Sequence, residues 1–126
     1  MMVTGIVICH GQLAFELLNV AGKILGPAEA IYAFSNENLS PEVLYAQVQR
    51  VLRDHQIDRG VAMVDLHGGS CWTVARMLTR EFPRLRVISG VNVSMVISFL
   101  SKRGKIPFEE LLPILERDAR RGIVVE

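Results

Sequence analysis

Apolar residues along this chain change their spacing several times, and each change marks an element. Val3-Thr4-Gly5-Ile6-Val7-Ile8-Cys9 is a nearly unbroken run rich in β-branched residues, the pattern of a strand buried on both faces. After His10 and Gly11 the period becomes helical. Leu13, Leu17, Val20, Ala21 and Ile24 recur on one face until Gly26-Pro27 ends the helix. Ala30 to Phe34 reads as a second strand, closed by the polar segment Ser35-Asn36-Glu37-Asn38. Ser40-Pro41-Glu42 opens a second helix, with Ser40 as N-cap, Pro41 at the first helical position, and a stripe of Val43, Leu44, Val48, Val51 and Leu52. Gly60 to Asp65 is a third strand with Asp65 at its carboxyl end, and a helix from Ser70 to about Phe82 follows. Arg86 to Gly90 is a fourth strand, Asn92 to Leu100 and Phe108 to Arg120 are helices, and Ile123-Val124-Val125 is a short last strand.

Strands alternating with helices at short intervals predict a doubly wound, mostly parallel α/β sheet with helices on both faces. Right-handed crossovers leave few strand orders, and the common one is 2-1-3-4. In that order the switch point lies between strands one and three, and ligands bind outside the carboxyl ends there. His10 ends strand one and Asp65 ends strand three, so the topology carries two residues distant in sequence to one crevice.

A carboxylate beside an imidazole accepts a hydrogen bond from one ring nitrogen, fixes the tautomer and leaves the other nitrogen free as a nucleophile. Gly68-Gly69-Ser70 lies between strand three and its helix, where backbone N–H groups, the helix dipole and the Ser70 hydroxyl favour an anion, phosphate above all. His10, Asp65, Gly68, Gly69 and Ser70 together read as a histidine that carries a phosphoryl group. Neither a Walker A pattern nor GxGxxG occurs.

Composition narrows the remainder. Fourteen basic and thirteen acidic residues among 126 give a formal net charge of +1, which speaks against nucleic acid and membrane surfaces as main partners. No apolar stretch approaches the roughly 20 residues that span a bilayer, and Val3 to Ile8 enters the fold without a signal-peptide pattern. With only Cys9 and Cys71 there is no disulfide framework, and a cytoplasmic location is expected. No linker or repeat divides residues 1–126, which read as one domain.

Three segments carry a resemblance. Ile6-Val7-Ile8-Cys9-His10-Gly11, Asp65-Leu66-His67-Gly68-Gly69-Ser70 and Ser89-Gly90-Val91-Asn92-Val93-Ser94-Met95 resemble, in order and spacing, the motifs of the mannose-class enzyme IIA domain of the bacterial phosphoenolpyruvate-dependent sugar phosphotransferase system. The resemblance implies a phosphoryl group received on His10 from the histidine phosphocarrier protein and passed to a IIB component for sugar uptake. Asp65 would orient the ring, and Ser70 and its neighbouring amides would hold the phosphoryl oxygens. It also implies a homodimer in which Ile123 to Val125 crosses to the partner's sheet, and neither a metal nor an organic cofactor. Two departures are visible. Cys71-Trp72-Thr73 stands where the family usually has a proline and, two residues later, an asparagine; Ser94 stands where it usually has another proline. The altered rim makes a regulatory phosphohistidine sensor the alternative reading, with the subunit that feeds dihydroxyacetone kinase a third.

Other groups have simpler expectations. Cys9, His10, His67 and Cys71 invite a metal reading, but Cys9 and His10 are adjacent on a strand and point to opposite sides. Cys71 is expected to be a near-surface thiol with some thiolate character at a helix N-terminus. His67 and Trp72 are possible rim residues for a protein partner. His55 and the run Lys102-Arg103-Gly104-Lys105 are expected to be solvated, and Arg76 has no assigned part.

Overall fold

The computed structural model describes residues 2–126. Four parallel strands form one sheet in the order β2-β1-β3-β4, the expected arrangement. They are β1 (Thr4–Cys9), β2 (Ile31–Ser35), β3 (Gly60–Val64) and β4 (Leu85–Ser89). The helices are α1 (Leu13–Leu25), α2 (Pro41–Asp54), α3 (Ser70–Glu81), α4 (Val93–Lys102) and α5 (Phe108–Arg121).

The pleat sorts the side chains of each central strand between two cores. Val7 and Cys9 of β1 and Val61 and Met63 of β3 pack under α1, α4 and α5, with Phe99 and Leu115. Ile6 and Ile8, with Ala62 and Val64, pack under α2 and α3 against Leu44, Val48 and Leu78. Burial on both faces explains why β1 and β3 read as continuous apolar runs rather than alternating ones. His10, one residue past Cys9, therefore turns to the α3 side.

Caps set the helix starts. The Ser40 hydroxyl accepts from Val43 N–H at 3.2 Å, as expected from the Ser-Pro-Glu sequence. Asn92 caps α4 by accepting from Met95 N–H at 2.9 Å, and its amide donates to the Ala119 carbonyl at 3.0 Å, tying α4 to α5. The third sequence motif is thus architectural at Asn92.

Several expectations fail for identifiable reasons. Ile123–Val125 forms no strand; these residues are exposed beyond α5 and pair with neither edge of the sheet of their own chain. Leu13, Ile24 and Val43 are exposed at the margins of their stripes and Ala14 is buried instead, while Leu17, Ala21, Leu44, Val48 and Leu52 are buried as expected. His55 is exposed, as expected, but also stacks on Tyr32 with ring centroids 4.9 Å apart. The run Lys102-Arg103-Gly104-Lys105 is a solvated turn only at Gly104 and Lys105: Arg103 donates to the carbonyls of Val3 (3.2 Å), Ala30 (2.9 Å) and Glu29, and Lys102, the last residue of α4, pairs with Asp118. Arg103 thereby satisfies main-chain oxygens at the amino end of the sheet, far from the crevice.

Gly5, the second residue of β1, is held by packing. A Cβ there would lie 2.7 Å from Cε2 of Phe99, which is completely buried. Gly5→Ala is expected to lower stability by about 1–3 kcal/mol, the usual range for overpacking a core. Urea unfolding measures it, and an unchanged midpoint would refute the tight fit.

Candidate active site

The crevice outside the carboxyl ends of β1 and β3 is built by the register of the sheet. Ile8 pairs with Val64, so the residues just beyond the two strands, His10 and Asp65, meet. Nδ1 of His10 lies 2.9 Å from Oδ2 of Asp65, and the same oxygen accepts the His10 backbone N–H at 2.9 Å. Oδ1 of Asp65 accepts from Leu66 N–H at 3.1 Å. One carboxylate thus fixes the turn after β1, the turn after β3 and the plane of the ring. Its side chain is 12% exposed, whereas that of His10 is 44% exposed. With Nδ1 engaged, Nε2 is the nitrogen left for a substrate.

Burial of Asp65 acts to raise its pKa, but the two hydrogen bonds from His10 and the charge of its ring outweigh burial, and the net shift is downward.

Gly68 and Gly69 both have left-handed backbone, with φ of +85° and +88°, which side-chain-bearing residues rarely adopt. A Cβ on Gly69 would sit 3.9 Å from Cε1 of His10, an ordinary contact, so conformation and not space requires glycine. The Gly-Gly turn starts α3 directly against the ring. The first helical bond of α3 runs from Thr73 N–H to the Gly69 carbonyl at 3.0 Å, so the preceding amides point out of the helix end. Those donors and the positive end of the helix dipole make the anion-binding corner expected from the sequence.

The structure adds Asn36, which sequence reasoning passed over as part of a polar loop. Its side-chain amide donates to the Ser70 hydroxyl at 3.1 Å, and its N–H continues the ladder to the Cys9 carbonyl at 3.3 Å. The signal was available in the sheet order, because β2 neighbours β1 and Asn36 immediately follows β2.

His67 and Trp72 are not part of this cluster; they pack edge to face, with centroids 5.1 Å apart. Arg76 lies over Trp72 at 5.5 Å, which gives it a place in the rim.

Cys71 differs from expectation, whereas Cys9 is the small buried hydrophobe its strand position suggests. Cys71 is completely buried, and its Sγ lies 3.9 Å from Nδ1 of His10. Burial, aided by the charge of Asp65, pushes its thiol up to about 11, against the thiolate character expected of a helix N-terminus. Cys9 is buried in the opposite core layer and its thiol is pushed up to about 12, chiefly by burial. Among the described residues, the side chains whose donor atoms gather within 4.8 Å are His10, Asp65 and Cys71, rather than the set containing Cys9 and His67.

Because the Asp65 carboxyl is held below its unfolded value, its contribution to stability is complete above the ordinary carboxylate range and is lost as pH falls through the folded value. The stability gap between the protein and Asp65→Asn should stand at its full value near pH 5 and shrink below about pH 4. Urea unfolding at several pH values checks this; a gap that is flat from pH 5 to pH 3 contradicts it.

The family described as "PTS system fructose IIA component" matches residues 5–115. A sorbose-specific EIIA component of Klebsiella pneumoniae is 27% identical over 126 residues, covering 98% of this chain and 92% of that protein. A mannose-specific EIIAB component of Escherichia coli is 30% identical over 119 residues; the match covers 90% of this chain and 36% of that longer protein. Among solved structures, the mannose/sorbose-specific IIA subunit from Enterococcus faecalis superposes with a TM-score of 0.87 at 25% identity, over 100% of this chain and 96% of that one. A phosphotransferase system EIIA from Streptococcus agalactiae has the same fold, with a TM-score of 0.91 at 23% identity over 98% of this chain and 97% of that one. Strand order, crevice and sequence match run along nearly the whole chain, which belongs to the enzyme IIA family of the mannose, fructose and sorbose class and is a component of the phosphotransferase system.

Proposed function

We propose that this IIA unit, residues 1–126, is a phosphocarrier that takes a phosphoryl group from the phosphorylated histidine phosphocarrier protein onto Nε2 of His10 and passes it to a IIB component for sugar uptake. The observation that carries this reading is the 2.9 Å contact between Nδ1 of His10 and Asp65, with the exposed ring set against the start of α3. The Nε2 lone pair attacks phosphorus as the donor's N–P bond breaks, and the new N–P bond forms on His10. The Nδ1 proton stays on the ring, where the Asp65 carboxylate offsets the positive charge that develops. Amides at the start of α3, with Ser70 held by Asn36, receive the phosphoryl oxygens. Such transfer asks mainly for in-line positioning and charge stabilisation, which this corner supplies without a metal or an organic cofactor.

A second reading has its own observation. His67, Trp72 and Arg76 form an aromatic and cationic rim beside the crevice, in the segment that departs from the family pattern. A regulatory partner recognising that rim would read the phosphorylation state of His10 without sugar transport.

The homodimer remains part of the proposal. Beside the open edge of β4 runs a groove of about 600 Å³ lined by Ile88, Asn92, Met95 and Leu112, next to the exposed tail Ile123 to Val125. The tail of one copy pairing along the β4 edge of another would cover both.

With phosphoenolpyruvate, enzyme I and the phosphocarrier protein, the protein should acquire acid-labile phosphate and His10→Ala none; label persisting on another residue would sink the assignment. Asp65→Asn should slow labelling about 10²-fold, the scale of a misplaced reacting group, and Asn36→Ala by about tenfold or more. Transfer to a IIB component separates the carrier from the sensor, since a sensor takes label and passes none on. Light scattering should give a dimer mass for the protein and a monomer mass after truncation at Gly122; equal masses would remove the tail from the interface.

A further inference from the structure

Three side chains from distant parts of the chain converge at Nδ1 of His10. His10 follows β1, Asp65 follows β3 and Cys71 opens α3, and they offer a nitrogen, an oxygen and a sulfur atom. Nδ1 lies 2.9 Å from Oδ2 and 3.9 Å from Sγ, and all three donors fall within 4.8 Å of one another. A point equidistant from three atoms so spaced is no more than about 2.4 Å from each, against about 2.0–2.3 Å for zinc bound to nitrogen, oxygen and thiolate sulfur. Contraction by a few tenths of an ångström closes the set.

We propose that His10, Asp65 and Cys71 form a three-ligand site for a thiophilic divalent cation of the zinc type, and that occupation of this site switches off phosphoryl acceptance. The donor set selects the ion. A thiolate with an imidazole and one carboxylate suits zinc, whereas magnesium and calcium take oxygen shells. Three protein donors leave the fourth position of a tetrahedral ion to water. Binding replaces two protons, one on Nδ1 and one on Sγ, and releases them to solvent.

The arrangement of the crevice makes the site reachable and the ligands poised. Asp65 is held by the two backbone N–H groups of His10 and Leu66, so its carboxylate stays in place when Nδ1 changes partner. Sγ of Cys71 is buried beside Nδ1 of the His10 ring and the ring is itself open to solvent, so an ion reaches the sulfur by way of the ring. Cys9, in the other core layer, takes no part.

The consequence for phosphoryl transfer rests on the carrier reading above; cation binding does not. An ion on Nδ1 withdraws electrons from the ring and takes the Asp65 carboxylate as its own ligand, so Nε2 loses both nucleophilicity and charge compensation. The coupling is reciprocal. A phosphoryl group on Nε2 keeps the proton on Nδ1 and so lowers affinity for the cation.

Cobalt(II) is the first probe, because a thiolate ligand announces itself by a charge-transfer band in the near ultraviolet. Titration of the folded protein should produce that band with visible bands of four-coordinate cobalt, and one equivalent of zinc should bleach both. Cys71→Ser should lose the charge-transfer band and Cys9→Ala should keep it. Absence of the band in the unaltered protein, or its survival in Cys71→Ser, overturns the site. If Cys71→Ser does not fold by circular dichroism, His10→Ala replaces it, with zinc affinity expected to fall at least tenfold; unchanged affinity overturns the proposal equally. For the switch, purified phosphorylated phosphocarrier protein serves as donor. Saturating zinc should cut the initial labelling rate at least tenfold relative to a chelator-treated control, and Cys71→Ser should lose that sensitivity relative to its own control. Equal inhibition of both proteins overturns the switch. No label even with chelator overturns the carrier reading instead, and leaves the cobalt result to stand by itself.

Discussion

One carboxylate oxygen organises the functional end of this molecule. Oδ2 of Asp65 accepts both the backbone N–H and the ring N–H of His10, so the direction of the chain leaving β1 and the plane of its imidazole are set by a single atom just past the end of β3. That is possible only because β1 and β3 are parallel neighbours in register, ending side by side. In a strand order that separated β1 from β3 the two residues would be apart, and the sheet would present a histidine with an undefined tautomer. The price is burial of a carboxylate, which its hydrogen bonds more than offset, since the group stays ionised below its ordinary range.

Much of this was legible in the order of residues. Continuous apolar runs marked β1 and β3 as doubly buried, Ser40 and Pro41 marked a helix start, and strands alternating with helices implied the 2-1-3-4 sheet. From that order the meeting of His10 and Asp65 followed. What stayed hidden depends on side chains reaching across elements. Asn36 looks like any loop asparagine until its amide is seen on Ser70. Arg103 sits in a basic run that reads as solvated, yet its guanidinium binds three carbonyls at the amino end of the sheet, a geometry without periodic trace in sequence. The tail after α5 has strand composition and no strand, because a strand is a property of two partners.

Cys71 illustrates the same limit at the site. A cysteine at a helix N-terminus suggests an activated thiolate. Here the apolar layer under α2 and α3 surrounds it and the Asp65 charge stands nearby, so its environment works in the other direction. Its neighbour Trp72 takes the opposite course, half-buried, edge to face with His67 and with Arg76 over its ring. Successive residues of one helical turn therefore serve the interior of the crevice and its rim.

The oxygen shared by the ring and the main chain of His10 has a consequence beyond catalysis. Whatever happens to the ring alters the competition for Oδ2, and the backbone amide of His10 feels the change through a bond it already makes. The amide proton resonance of His10 is thus an internal gauge of the ring's state, readable by nuclear magnetic resonance without a label on the imidazole. Gly11 follows at once with left-handed backbone, so a small shift of that amide is passed directly into the start of α1 and the surface around it.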